Sequence, residues 1–206
     1  MVLVRTIKFS PLHAKPYTSV LATLAYFDLF HHPLTIGELS RFAPVSYQVG
    51  QLENIISELL SQRVIYRLGE FYSLSPNYFL QQKRELGNSR AEKLLPGAKK
   101  IGRFLFQFPF VKAIAISGSL SKNYSEKNGD VDFFIITAVN RLWIARSLMH
   151  AYKKLMMLLG RQHLYCMNYY VDESALVIAE QNFYTAVEIT TVIPCAGAEA
   201  IQIAGN

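Results

Sequence analysis

Apolar residues recur at helical spacing over residues 17 to 30, where Val20, Leu21, Leu24, Phe27 and Leu29 to Phe30 form one broad stripe. The spacing predicts a helix ending near His31-His32-Pro33, because proline disfavours helical geometry in the residue before it. Thr35-Ile36-Gly37-Glu38 has the form of a capping box, and Leu34 with Leu39 that of a hydrophobic staple, so a short second helix starts at Ile36. A third helix follows Ser46, with Val49, Leu52, Ile55, Ile56, Leu59 and Leu60 at spacings of three and four. Val64 to Arg67 and Phe71 to Leu74 read as short strands around a turn containing Gly69.

The pattern then changes. Residues 81 to 103 carry Lys83, Arg84, Arg90, Lys93, Lys99, Lys100 and Arg103 against only Glu85 and Glu92. A connecting helical segment over 81–110 is expected, with a kink or break at Pro96-Gly97 and a solvated basic face. Val111 to Ile116 reads as a buried strand and Asp130 to Thr137 as a second. Leu142 to Leu159 follows as a helix packing through Leu142, Ala145, Leu148, Met149, Leu155, Met156 and Leu159, with Trp143 and Met157 as further packing residues. His163 to Val171 is a third strand, and Phe183 to Ile193 fits a helix in which Glu188 reads as solvated.

The domains expected are 1–80, the connector 81–110, and 111–206. Three helices followed by a hairpin resemble a winged helix-turn-helix over roughly residues 15 to 76. DNA binding is not the favoured role of this module. No Lys or Arg lies between Arg41 and Arg63, and the segment that would read bases offers Tyr47, Gln48, Gln51, Glu53 and Glu58. His31 and His32 have no nearby acid or cysteine and read as a loop boundary rather than metal ligands.

Composition narrows the classes. The 206 residues are 51% hydrophobic, enough for buried cores, with a formal net charge of +6 that suits polyanionic partners. Cys166 and Cys195 stand apart and read as reduced core thiols. No apolar run reaches the ~18 residues of a membrane span, and the start of the chain is too short in its apolar run for a signal peptide. A cytoplasmic protein without a membrane partner is expected.

The chemistry is concentrated between residues 114 and 136, in Ile-Ala-Ile-Ser-Gly-Ser-Leu-Ser-Lys-Asn-Tyr-Ser-Glu-Lys-Asn-Gly-Asp-Val-Asp-Phe-Phe-Ile-Ile. Residues i and i+2 of a strand share a face, so Asp130 and Asp132 are expected to project together while Val131 and Phe133 enter the core. Two adjacent hard oxygen donors suit Mg²⁺. Gly118 allows close backbone approach, Ser119 and Ser121 offer hydroxyls, and Lys122 supplies a point charge for phosphates.

This stretch resembles the nucleotidyltransferase superfamily of the polymerase-beta and minimal nucleotidyltransferase type, which shares a strand, Gly-Ser, a loop, and Asp-hydrophobic-Asp. The resemblance implies an α+β fold: a winged-helix-like module followed by a mixed sheet with flanking helices. It implies a nucleoside triphosphate substrate with Mg²⁺ or Mn²⁺, and transfer of a nucleoside monophosphate to a hydroxyl on a protein, RNA or small molecule. By the same resemblance Asp130 and Asp132 hold metal, and Gly118, Ser119, Ser121 and Lys122 hold nucleotide. A third carboxylate is expected on a later strand, where Asn168 stands; Asp172 and Glu188 are the alternatives. Relatives often continue past the point where this chain ends, so a shortened member or a fragment is expected.

Two other chemistries fit less well. Ser119 and Ser121 lack the flanking glycines of a nucleophile elbow. Asn128, Asp130 and Asp132 depart from the spacing of a twelve-residue calcium loop. The rival to an enzyme is a degenerate nucleotide-sensing or nucleic-acid-binding regulator, for which Asn168 speaks.

Overall fold

The capping box is formed. Thr35 accepts a hydrogen bond from the Glu38 amide at its hydroxyl, and Glu38 accepts one from the Thr35 amide, at the head of helix α2 (Ile36–Phe42). It belongs to the first of two compact units in the computed structural model, which describes residues 16–160, 164–176 and 183–197. The units fall within Phe9–Leu86 and Gly87–Asn206.

In the first unit, α1 (Pro16–Asp28) precedes β1 (Leu34–Thr35), α2, α3 (Gln51–Ser61) and the hairpin β2 (Tyr66–Leu68) and β3 (Phe71–Ser73). The three strands form an antiparallel sheet in the order β1-β3-β2. Leu24, Phe27, Leu34, Leu39, Ile55, Leu68 and Phe71 are among the buried apolar residues of this unit. Three expectations change. The strands are shorter than read; α1 ends before Leu29 and Phe30, which are exposed; and α3 begins at Gln51 rather than just after Ser46. Gly50, with φ +76°, turns the chain at the head of α3, so Val49 precedes the helix and is exposed.

Helix α4 (Phe79–Leu105) contains Pro96 yet shows no break. Proline frees the carbonyl of Glu92, but residue 92 is exposed and water can replace the lost bond, while Ala91 and Ala98 are fully buried on either side. The boundary between units, at Leu86 and Gly87, lies inside this helix, which spans residues 81–105 of the expected connector 81–110.

The second unit is a mixed four-stranded sheet, β6-β5-β4-β7, of β4 (Val111–Ile116), β5 (Asp132–Thr137), β6 (Cys166–Asp172) and β7 (Ile193–Ala196). β4 is antiparallel to β5 and β7, whereas β5 and β6 run parallel and are joined through α6 (Leu142–Leu158). The fold is therefore α+β with a mixed sheet. Ile114, Ile116, Phe133 and Ile135 pack with Ala98, Leu105 and Met149 on one face. Ala113, Ala115, Phe134 and Ile136 share the other, as strand alternation requires.

Helix α6 touches the core more narrowly than its composition implies. Ala145 and Met149 are buried and Tyr152 and Met156 partly so, but Trp143, Leu148, Leu155, Met157 and Leu159 are exposed. Core contact is confined to positions 145, 149, 152 and 156, one i, i+4, i+7, i+11 stripe. Trp143 instead carries the Arg146 guanidinium over its ring at 5.4 Å. Among the described residues no helix is long and apolar enough to cross a membrane.

Candidate functional site

At the end of β4 the chain reverses through Gly118, whose φ of +65° favours glycine. The Ser117 amide donates to the Asp132 carbonyl at 2.9 Å, fixing this turn against the first residue of β5. A Cβ on Gly118 would lie 2.3 Å from Asp132 Oδ2, so the missing side chain is what makes room for the carboxylate.

Val131 and Phe133 are fully buried, and Asp132 is half-buried beside Phe134 on the opposite face. Asp130 departs from expectation. The β5–β6 ladder begins at Asp132 opposite Cys166, which leaves Asp130 in the preceding loop, exposed. Its Oδ2 accepts from Cys166 Sγ at 3.7 Å, and Lys153 Nζ lies 3.6 Å from the same sulfur. Cys166 is therefore half-buried on the rim rather than in the core, with its thiol pushed up by burial against the lowering effect of Lys153.

Asn168 reaches the site through a bulge. Cys166 and Met167 pair with Asp132 and Phe133, but Tyr169 pairs with Phe134, so Asn168 is the extra residue of β6. Its amide donates to Asp132 Oδ1 at 2.6 Å. The same register stacks Tyr169 on Phe134, with ring centroids 5.5 Å apart and planes 11° from parallel. The expected beginning of β6 at His163 lies outside the described residues.

The remaining expected residues separate. Glu188, on α7 (Phe183–Thr191), is not a solvated surface acid: it forms a 2.7 Å ion pair with Lys122 Nζ. Lys122 also donates to the Gly118 carbonyl at 3.1 Å, so it is drawn against the turn instead of being free for a terminal phosphate. Ser119 is exposed beside the turn. Ser121 is buried and bonds Gly118 O and Thr191 Oγ1, a packing role that removes it from the phosphate-binding set. Asp172 lies at the far end of β6, opposite Thr137, and accepts from Asn140 and Ser174, which removes it as a third acid.

Asp132, Asn168 and Glu188 line a cavity of about 200 Å³ on the sheet face that meets α7. Phe134, Tyr169 and Tyr184 form its aromatic wall. Of these rings only Phe134 was legible from the motif, since it lies two residues after Asp132 and hence on its face. Burial, then the negative charges of Asp130 and Glu188, hold the Asp132 carboxyl above its ordinary range, while Lys122 and Lys153 oppose the shift.

Among the described residues no group of three or more His, Cys, Asp and Glu side chains is arranged as a ready cation cage. The donor chemistry nevertheless fits a hard divalent ion: carboxylates at Asp130 and Asp132 and a further oxygen at the Asn168 amide. His31 and His32 make no such set, since His32 is buried against Arg84. Comparison with protein-family models, curated protein sequences and solved structures finds no match for this chain.

Proposed function

We propose that the second unit is a metal-dependent nucleotidyltransferase of the polymerase-beta and minimal nucleotidyltransferase type, moving a nucleoside monophosphate from a nucleoside triphosphate to an acceptor hydroxyl. The observation that carries this reading is the fit of Gly118 against Asp132 across the β4–β5 pair. It brings the turn expected to hold phosphate against the carboxylate expected to hold metal. Asp130 and Asp132 would hold Mg²⁺ or Mn²⁺, which when bound screens phosphate charge and activates the attacking oxygen.

The residues of the chain then have separate tasks. Gly118 and Ser119 offer backbone and hydroxyl donors to phosphate oxygens. The aromatic wall of Phe134, Tyr169 and Tyr184 offers a stacking surface for a base. Lys122, held by Glu188 and the Gly118 carbonyl, fixes the turn that offers the Gly118 and Ser119 donors. In the transfer, the acceptor oxygen forms a bond to the α-phosphorus as the bond to the bridging oxygen breaks. Pyrophosphate leaves with that electron pair, and the hydroxyl proton passes to water.

Calorimetry with ATP and GTP, with and without Mg²⁺, tests this reading against the Asp130→Asn/Asp132→Asn variant. Mg²⁺-dependent binding that disappears in the variant is expected, and equal binding in both proteins would overturn it. The rival reading, a nucleotide sensor without transfer activity, is favoured by the neutral Asn168 on β6 and by the closed Lys122–Glu188 pair. Label from the α-phosphate separates the two, since a sensor binds nucleotide and transfers none.

The first unit is read as a winged helix because of its helix-strand-helix-helix-hairpin order. Its polar, cation-poor α3 supports an interaction or packing role over DNA recognition. A cytoplasmic setting belongs to the same reading.

A further inference from the structure

We infer that a second, basic groove beside Asp130 binds the phosphodiester backbone of a single-stranded nucleic acid and presents its terminal hydroxyl as the acceptor. This deepens the nucleotidyltransferase reading and rests on it for the acceptor role alone. The groove, about 660 Å³, lies between α4 and the loop that leads into Asp130. Arg90 and Lys93 face it from the helix, and Lys127 from the loop. Glu126 is the one acidic residue on its lining, and Ser125, Asn128 and Gly129 add neutral polar groups.

Three features make this more than a solvated charged face. Arg90, Lys93 and Lys127 are exposed, and among the described residues none of them pairs with a carboxylate. The loop is held in place: the Ser125 amide donates to the Gly87 carbonyl at 3.1 Å, and the Tyr124 ring packs where a Gly87 side chain would stand. Gly129 lines the groove and Asp132 lines the aromatic cavity, with only Asp130 and Val131 between them in sequence. Asp130, exposed in the loop that follows Gly129, is thus the neighbour in sequence of both linings. One would take a nucleotide and the other a polyanion, as transfer between two anionic substrates requires.

Phosphate spacing along a strand suits separate point charges on a groove wall, and binding of this kind is dominated by released counterions. The test measures binding of a labelled oligouridylate and a labelled oligothymidylate of about twelve nucleotides over a range of salt. The natural chain is compared with Lys93→Glu/Lys127→Glu and with Lys99→Glu/Lys112→Glu, which has the same net charge but lies off the groove. The groove variant should bind at least about tenfold more weakly, with a salt slope shallower by about 1.4, from two lost phosphate contacts at about 0.7 each. The other variant should bind like the natural chain, both should keep the natural unfolding transition, and preference between the two oligonucleotides identifies RNA or DNA.

Equal binding by the natural chain and the groove variant would overturn the inference. So would no binding of either oligonucleotide by the natural chain, or groove-dependent capture of a phosphoserine-rich peptide in their place. Mg²⁺-ATP binding, measured in parallel, should be unchanged in the groove variant. If the natural chain binds oligonucleotide through the groove but no nucleotide, the transferase reading fails while the groove stands; the reverse result removes the groove alone.

Discussion

Lys122 and Glu188 are joined by a 2.7 Å ion pair between the turn after β4 and helix α7, beside the Asp132 carboxylate. The pair joins residues 66 positions apart and leaves the cation already occupied. Lys122→Met removes the only cation bonded to Glu188 among the described residues and leaves acids facing acids. A loss of about 1–3 kcal/mol in unfolding free energy is expected, as for a half-buried charge left unpaired. Urea denaturation measures it, and Lys122→Arg should recover most of the loss.

Gly118→Ala should damage both fold and site. The residue sits at φ +65°, where a side chain costs about 1–2 kcal/mol, and its Cβ would meet Asp132 Oδ2. Displacing that carboxylate should weaken Mn²⁺ binding, read from the electron paramagnetic signal of the free ion, by about tenfold or more. Unchanged Mn²⁺ affinity would separate Gly118 from the metal reading.

The sequence made some of this arrangement legible and hid the rest for physical reasons. Thr35 with Glu38 is a local signal, complete within one turn of chain, and it formed as read. The alternation that buries Val131 and Phe133 is equally local. Asn168 is different: it meets Asp132 because β6 carries one extra residue, and bulges depend on how two strands pair. Glu188 looked like a surface acid because its partner, Lys122, is distant in sequence. Pro96 marked a break that packing on Ala91 and Ala98 overrode, and the leucines of α6 gave no sign of which stripe the sheet would cover.

Asp132 sets a pH dependence. Its carboxyl is held above the ordinary value of 3.8 by burial and by Asp130 and Glu188. Between the unfolded and folded values the folded chain binds more protons than the unfolded one, so unfolding free energy falls as pH rises through that interval. Thermal unfolding without divalent cation should show this decline as pH rises from the ordinary carboxylate value. Asp132→Asn should flatten it, and on the metal reading saturating Mg²⁺ would bind only the folded site and should raise the transition at neutral pH.

Arg84 offers a test confined to the first unit. Its side chain is 2% exposed, bonds Glu38 Oε1 and the Pro33 carbonyl, meets His32 Nε2, and lies over the Phe71 ring at 5.3 Å. Glu38 is at the same time half of the capping box of α2, so one carboxylate ties the start of that helix to the first turns of α4. Arg84→Ala leaves a charge without its partner in a closed site, and a loss of about 3–5 kcal/mol is expected. Arg84→Lys keeps the charge but loses the fork that reaches Glu38 and Pro33 together, so it should recover only part. In a double-mutant cycle with Glu38→Gln the two losses should fall short of adding. Strict additivity would show that Arg84 acts through Pro33, His32 and Phe71 alone.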